Sequence, residues 1–442
     1  MLSPIERKST LILAFLVCAL AALPAFAESQ ARIVRLSDVH GQVQIDKNTG
    51  LGFENAFANL PITQGTQLRT SSSGRAEIEF EDGSSMRLAP NTSVEFSRLG
   101  LSDSGKRISQ VQLREGLAYV DWLGKDDFNL NFSHESISLD HSAHFRIDAT
   151  PQASDLAVFK GDVDVNGPGG KLVVEKKKTA TFNAQDDDKY TLANKILESP
   201  FDSWDKDAIG YHDQYAKNNV SQSPYGYGLS DLNYYGSFSN VAGYGMMWQP
   251  FFTGVGWDPF MDGVWSFYPG YGYMFASAYP WGWMPYRYGN WMFLQGMGWM
   301  WQPGGYNTWM TVPRYTATTL THVTPLVAPA TEAGKTVLVG RVATSAAPFA
   351  QPRMTLNANS AGMGIQRGSL DNLKGLNHEV TKHGSAEIRP MPQFSASSPS
   401  RAAGFGESHR SMAGSSMGMG HPSAPVASSG HTSGGAVAGS HK

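Results

Sequence analysis

Five tryptophans and one tyrosine recur at matched places: Trp257, Trp265, Trp283, Trp291, Trp299 and Tyr286. The stretch WDPFMDGVWSFYPGYGY, from Trp257, and WMPYRYGNWMFLQGMGW, from Trp283, share Trp, Pro, Gly, Trp, Phe, Gly and Gly at seven of seventeen positions. Rings repeated in this way have two uses. They stack into a core shared by successive units, or they stay exposed to stack on a glycan or grip a partner. These six are therefore the candidate binding aromatics, with both uses open.

Other reactive residues form no supported constellation. His141 and His144 lie three apart on a strand pattern and face opposite sides, poor geometry for zinc even with His134 nearby. Met412, Met417, Met419 and His421 could hold a soft metal, but they sit in Ser/Gly-rich sequence that reads as a solvated tail. Gly414 to Gly418 matches a hydrolase elbow by letter and lacks its strand and helix. We expect no catalytic residue, no metal and no cofactor, and hence no enzyme.

The elements that must position the rings come next. Residues 221–310 hold 28 aromatics and only four charged side chains, Asp231, Asp258, Asp262 and Arg287. Aromatic strands broken by Gly-x-Gly predict β-hairpin repeats, with Trp265 and Phe267 on one face of a strand and Trp291 and Phe293 on the equivalent one. The other face, Ser266 in one copy and Met292 in the other, is not repeated and is expected outside the core. A third, degenerate unit is expected to start near Trp248.

Residues 32–185 alternate with period two. Ala76, Ile78 and Phe80 interleave with Glu77, Glu79 and Glu81, which predicts a buried face and a wet one. A three-residue loop, Asp82 to Ser84, sets Phe80 opposite Met86 and Ile78 opposite Leu88. Many such strands argue an all-β sandwich, barrel or short roll. Lys176 to Lys178 read as a solvated strand edge that discourages pairing. Residues 186–220 switch to a helical stripe, Phe201, Trp204, Ala208, Tyr211 and Tyr215, with Ser199 as cap and Pro200 in the first turn. Residues 311–442, poor in aromatics, are expected to be a low-complexity disordered tail.

At the N-terminus, Arg7 and Lys8 precede an apolar run from Leu11 to Leu23 and the site Ala25-Phe26-Ala27. This is the pattern of a secretory signal peptide over 1–27, cleaved after Ala27. It predicts a periplasmic or secreted, cell-envelope location. The one cysteine, Cys18, lies inside that run. No later stretch is long and apolar enough to span a membrane. A net charge of −3 gives no case for nucleic acid.

The run ITQGTQLRTSSSGRAEIEFEDGSSMRLAPNTSVEFSRL (62–99) resembles the FecR-like domain. Gly65, Leu68, Thr70, Gly74, Ala76, Ile78, Phe80, Asp82, Gly83, Ser84, Met86, Leu88 and Pro90 carry the resemblance. LREGLAYVDW and LAVFKGDVDV resemble its later strands. The chain departs at Ser142-Ala143-His144-Phe145, where the family often carries Gly-Thr-x-Phe. PFDSW (200–204), the YYG of 234–236 and the tryptophan units resemble a Trp/Tyr/Gly repeat domain of unknown function often found after FecR-like domains. The first resemblance implies a sensory or interaction domain. The family's inner-membrane anti-sigma regulators carry a cytoplasmic segment, and only ten residues precede the apolar run here.

The expectation is thus a mainly β protein: an antiparallel FecR-like β domain, a short helical joint, an aromatic hairpin module and a tail. Its expected work is binding or scaffolding in the bacterial envelope, with an envelope protein as partner. The alternative is a glycan- or cell-wall-binding protein led by the aromatic repeat. Transmembrane anti-sigma regulation ranks below both.

Overall fold

A computed structural model of the chain describes residues 32–184, 189–254, 256–316, 326–330, 334–342 and 353–389. Residues 1–31, which include the expected signal peptide, and residues 390–442, with the Met and His residues of the expected tail, lie outside the described residues. No helix among the described residues is long and apolar enough to cross a membrane.

The protein is mainly β. In the first domain, two sheets enclose one apolar core. The sixteen-residue strand Arg107–Trp122 belongs to both. Its first half pairs with Ser93–Leu101 and its second half with Ser85–Leu88 and Ala143–Ala149. It changes sheet at Gly116, φ 93°, where a Cβ would lie 2.4 Å from the Asn91 carbonyl oxygen. Only glycine allows that approach. One pairing departs from the antiparallel expectation: Asp127–Phe132 runs parallel to Ile108–Leu113. The strand Lys189–Ala193 adds to the sheet beyond the expected edge at 185.

Phe80 faces inward, as its alternation predicts, and meets Trp122 edge-on at 5.3 Å. The hairpin around it is shifted by two residues from the expected register. Ile78 opposes Met86 and Ala76 opposes Leu88, leaving Glu81, Asp82 and Gly83 as the loop. Asp82 decides this, because its carboxylate accepts from the Ser84 N–H and hydroxyl, each at 2.9 Å. Gly83 then takes φ 95° and donates to the Phe80 carbonyl, a turn with a glycine bulge. A shift of two keeps every side chain on its expected side. The second face, however, is not wet: Glu77, Glu79 and Glu81 are all buried. Lys176 to Lys178 also differ from expectation. They form the turn between Gly170–Glu175 and Thr179–Asn183, with Lys177 at φ 67°, and protect no strand edge.

Helix α1 (Asp202–Tyr215) covers part of that second face. Its N-cap is Phe201, not Ser199, because the Asp202 carboxylate reaches back to the Ser199 N–H at 2.9 Å. Trp204 and Tyr211 of the expected stripe pack, Trp204 edge-on to Tyr119 at 6.3 Å and Tyr211 against Tyr234 of α2 (Leu229–Tyr235). The helix is therefore docked and is not a free joint.

Three hairpins then build the aromatic module: Gly236–Pro250, Gly263–Ser277 and Asn290–Gln302. Each closes on a Gly-x-Gly with both glycines at positive φ, at 243/245, 270/272 and 296/298. The third copy thus precedes the two visible ones and ends near Trp248, where the sequence suggested it would start. Trp248 pairs with Trp301 across the outer hairpins. A short helix, α3 (Met284–Arg287), carries Pro285. The face holding Val264 and Ser266, expected outside the core, seats the module on the β domain. Val264 and Ala276 join that domain's core, and Lys47 donates to the Ser266 hydroxyl at 2.6 Å.

The ordered structure also continues past 311. Met354–Asn357 pairs with Ser385–Ile388 around α4 (Leu373–His383). Leu356, Ala361, Ile365, Leu370, Leu373 and Val380 are buried in the aromatic core. A few apolar side chains suffice here because the module offers them a ready-made apolar surface.

Candidate functional site

The six candidate rings are all buried. Trp283, Tyr286 and Trp291 are fully covered, and Trp257, Trp265 and Trp299 are 3–4 % exposed. They touch each other across copies: Trp257 lies 5.9 Å from Trp291, and Phe260 lies 6.3 Å from its counterpart Tyr286. Tyr286 donates to the Pro259 carbonyl at 2.6 Å. The structure gathers all six in one core and presents none for stacking at the surface.

The concentration of chemistry lies elsewhere, where the β domain meets the helices and the segment around 367. Arg35, on the strand Val34–His40, is completely buried. It reaches Glu79 at 3.0 Å and Asp231 of α2 at 2.6 Å, and it donates to the Pro280 carbonyl of the module at 2.9 Å. Arg367 enters from the other side. It holds Glu77 at 2.7 Å and Asp231 at 2.6 Å, and donates to the Ser37 carbonyl at 3.1 Å. Arg87 continues the chain to Asp205 of α1 at 2.8 Å, which also binds His144 at 2.7 Å. His212 of α1 sits 3.1 Å from Glu77 and 3.6 Å from Glu79, with Ser230 on its other nitrogen at 2.9 Å. Tyr211 donates to Asp231 at 2.8 Å.

Three guanidiniums, Arg35, Arg87 and Arg367, thus face four carboxylates, Glu77, Glu79, Asp205 and Asp231. A proton on one histidine balances the cluster. Burial alone would push the Glu77 and Asp231 carboxyls up. The charges of His212, Arg367 and Arg87 instead hold Glu77 well below its ordinary value, and Arg367 and Arg35 hold Asp231 below its own. Burial would likewise lower His212, but Glu77 and Glu79 outweigh it and raise it above 6.5.

A pH dependence follows. A raised histidine stabilises the fold fully below its unfolded value of 6.5, and that contribution is lost as pH rises through the raised value. Lowered carboxylates contribute above their ordinary values of 4.5 and 3.8, and lose their contribution as pH falls through the depressed ones. Urea midpoints measured from pH 4 to 9 should therefore be highest between about 4.5 and 6.5 and fall on the alkaline side. His212→Gln should flatten that alkaline fall. An unchanged slope in the variant would remove His212 from this account.

Glu77, Glu79 and His212 place ligand atoms within 4.8 Å of one another, a spacing a metal could use. The guanidiniums on Glu77 and Glu79 already supply the positive charge, so the donor set does not fit a cation. Beside the junction lies a cavity of about 330 Å³, lined by Asp38, His40, Phe57, Val264 and Ile365 among others. Asp38 binds His40 at 2.8 Å. Burial opposes its ionisation, but His40 and Arg367 win and bring it down to about 2.

Sequence reading missed this junction, although a signal was present. In a module with four charges, each proves to be buried and partnered. Arg287 donates to the Phe275 and Met310 carbonyls, Asp262 accepts from Tyr279 and Arg341, and Asp258 accepts from the Phe260 N–H. Charges that survive in such a composition hold structure together.

A two-sheet β domain welded to an aromatic hairpin module defines the class of protein. Residues 66–164 match the model of the FecR protein family, and residues 229–329 match a family of unknown function, DUF6600. The chain therefore carries a FecR domain followed by a DUF6600 domain. Two crystal structures of a candidate anti-sigma factor from Parabacteroides distasonis ATCC 8503 are similar to it, each at 16 % identity and a TM-score of 0.26. The likeness covers 29 % of this chain and 59 % of that protein. No curated protein matches the chain.

Proposed function

We propose that this chain is an exported, non-enzymatic binding or scaffold protein of the bacterial cell envelope, with the FecR domain as its sensory or interaction part. The observation that carries this reading is the junction. Its arginines and carboxylates are neutralised by each other, buried, and spent on joining the FecR domain to the module. The histidine beside a hydroxyl there is His212, 2.9 Å from Ser230. Glu77 and Glu79 raise it toward its charged form and Ser230 is buried, so the pair does not offer the free base and accessible nucleophile that hydrolysis or group transfer needs. With its junction charges committed to each other, the protein is left to act through its surface. The leader pattern at 1–27 supports export, and N-terminal sequencing of exported protein should find Glu28 first.

The glycan-led alternative draws on the six rings, and their burial removes those six as stacking platforms. Cross-linking followed by mass spectrometry of envelope fractions should recover a protein partner of the full chain. Purified peptidoglycan should retain little. Retention on peptidoglycan without any protein cross-link would reverse the two readings.

A further inference from the structure

The β domain ends openly. Gly170–Glu175 closes one sheet and Lys189–Ala193 the other, and each pairs on one side only among the described residues. Both edges lie at the same end of the sandwich, following the neighbouring strands Asp162–Gly167 and Thr179–Asn183. The core is uncovered there. Phe182 and Ala180 are buried, yet their cross-strand partners on the same face, Tyr190 and Leu192, are 42 % and 40 % exposed. On the outer face of the other edge Val173 is 46 % exposed.

The edge Gly170–Glu175 is complementary to itself. Laid antiparallel on a second copy about Val173, it sets Lys171 opposite Glu175 twice, Leu172 opposite Val174 twice, and Val173 on Val173. No charge then meets its like. A two-fold axis normal to this sheet also turns the edge Lys189–Ala193 toward its counterpart. About Thr191 that strand sets Tyr190 opposite Leu192, and Lys189 opposite Ala193. We propose that this end binds a second copy of the chain, edge to edge, centred on Val173, so that the two open cores cover each other. The charges it uses are now held only by surface pairs, Lys171 with Asp164 at 3.0 Å and Glu175 with Lys178 at 2.7 Å, which exchange readily. The proposal goes beyond the envelope-binding reading, since a monomeric protein would leave that reading standing.

Sedimentation velocity on the full chain after leader removal tests it, from about 1 to 100 μM at low salt. The expected result is a concentration-dependent dimer. K171E and E175K each place like charges opposite one another and should weaken it by about tenfold or more. The double swap K171E/E175K restores opposite signs and should return the affinity to within about threefold. L192K should weaken it without touching the charge pairs, and melting curves would establish that each variant folds. A monomer at about 100 μM, single variants as tight as the parent, or a double swap no better than the singles would each overturn the proposal.

Discussion

Asp231→Ala is expected to destabilise the protein by about 3–5 kcal/mol, measured by urea unfolding near pH 6. Asp231 is fully buried and holds both Arg35 and Arg367 at 2.6 Å. Its removal strands Arg35 without half of its charge compensation and frees the Tyr211 hydroxyl from its acceptor. The cost is that of an uncompensated buried charge, which exceeds the net worth of the pair. A double-mutant cycle with Arg367→Ala should show coupling, because both changes break the same link. A loss under about 1 kcal/mol would mean that water reaches these charges and that the junction is not a weld.

Trp291→Ala should cost about 3–5 kcal/mol as well, by a different route. Its ring lies 5.9 Å from each of Trp257, Trp281 and Tyr286 and 6.4 Å from Trp248. Truncation opens a cavity that rigid neighbouring rings cannot collapse into, so both the transfer and the cavity cost remain. Tyr244→Ala, at a hairpin tip with a 42 % exposed ring, should shift stability by less than about 0.5 kcal/mol. Equal losses at the two positions would contradict the inward placement of the repeat rings.

Much of this was legible in local pattern. Period-two alternation put Phe80, Ile78 and Met86 in the core, and it kept the right faces even though the Asp82 turn moved the register by two. The Gly-x-Gly spacing revealed hairpins. The copy at 236–250 was harder to see because its rings have drifted while Gly243 and Gly245 remain. Alternation also predicts a wet face for Glu77, Glu79 and Glu81. It cannot see that α1, α2 and the segment around 367 close over them. The junction draws on residues 35, 77, 87, 205, 231 and 367, and no local window contains more than a few of these. Composition hid the last part. Residues 353–389 are polar enough to read as tail, yet Ile365, Leu373 and Val380 need only a surface already built by others.

The central claim is that FecR domain, aromatic module and the segment 353–389 form one cooperative body. Differential scanning calorimetry of the chain without residues 1–27 tests this most directly. One transition, with calorimetric and van't Hoff enthalpies equal, is the predicted result, and Asp231→Ala should move that whole transition down. Two resolved transitions, with Asp231→Ala shifting only one of them, would contradict it.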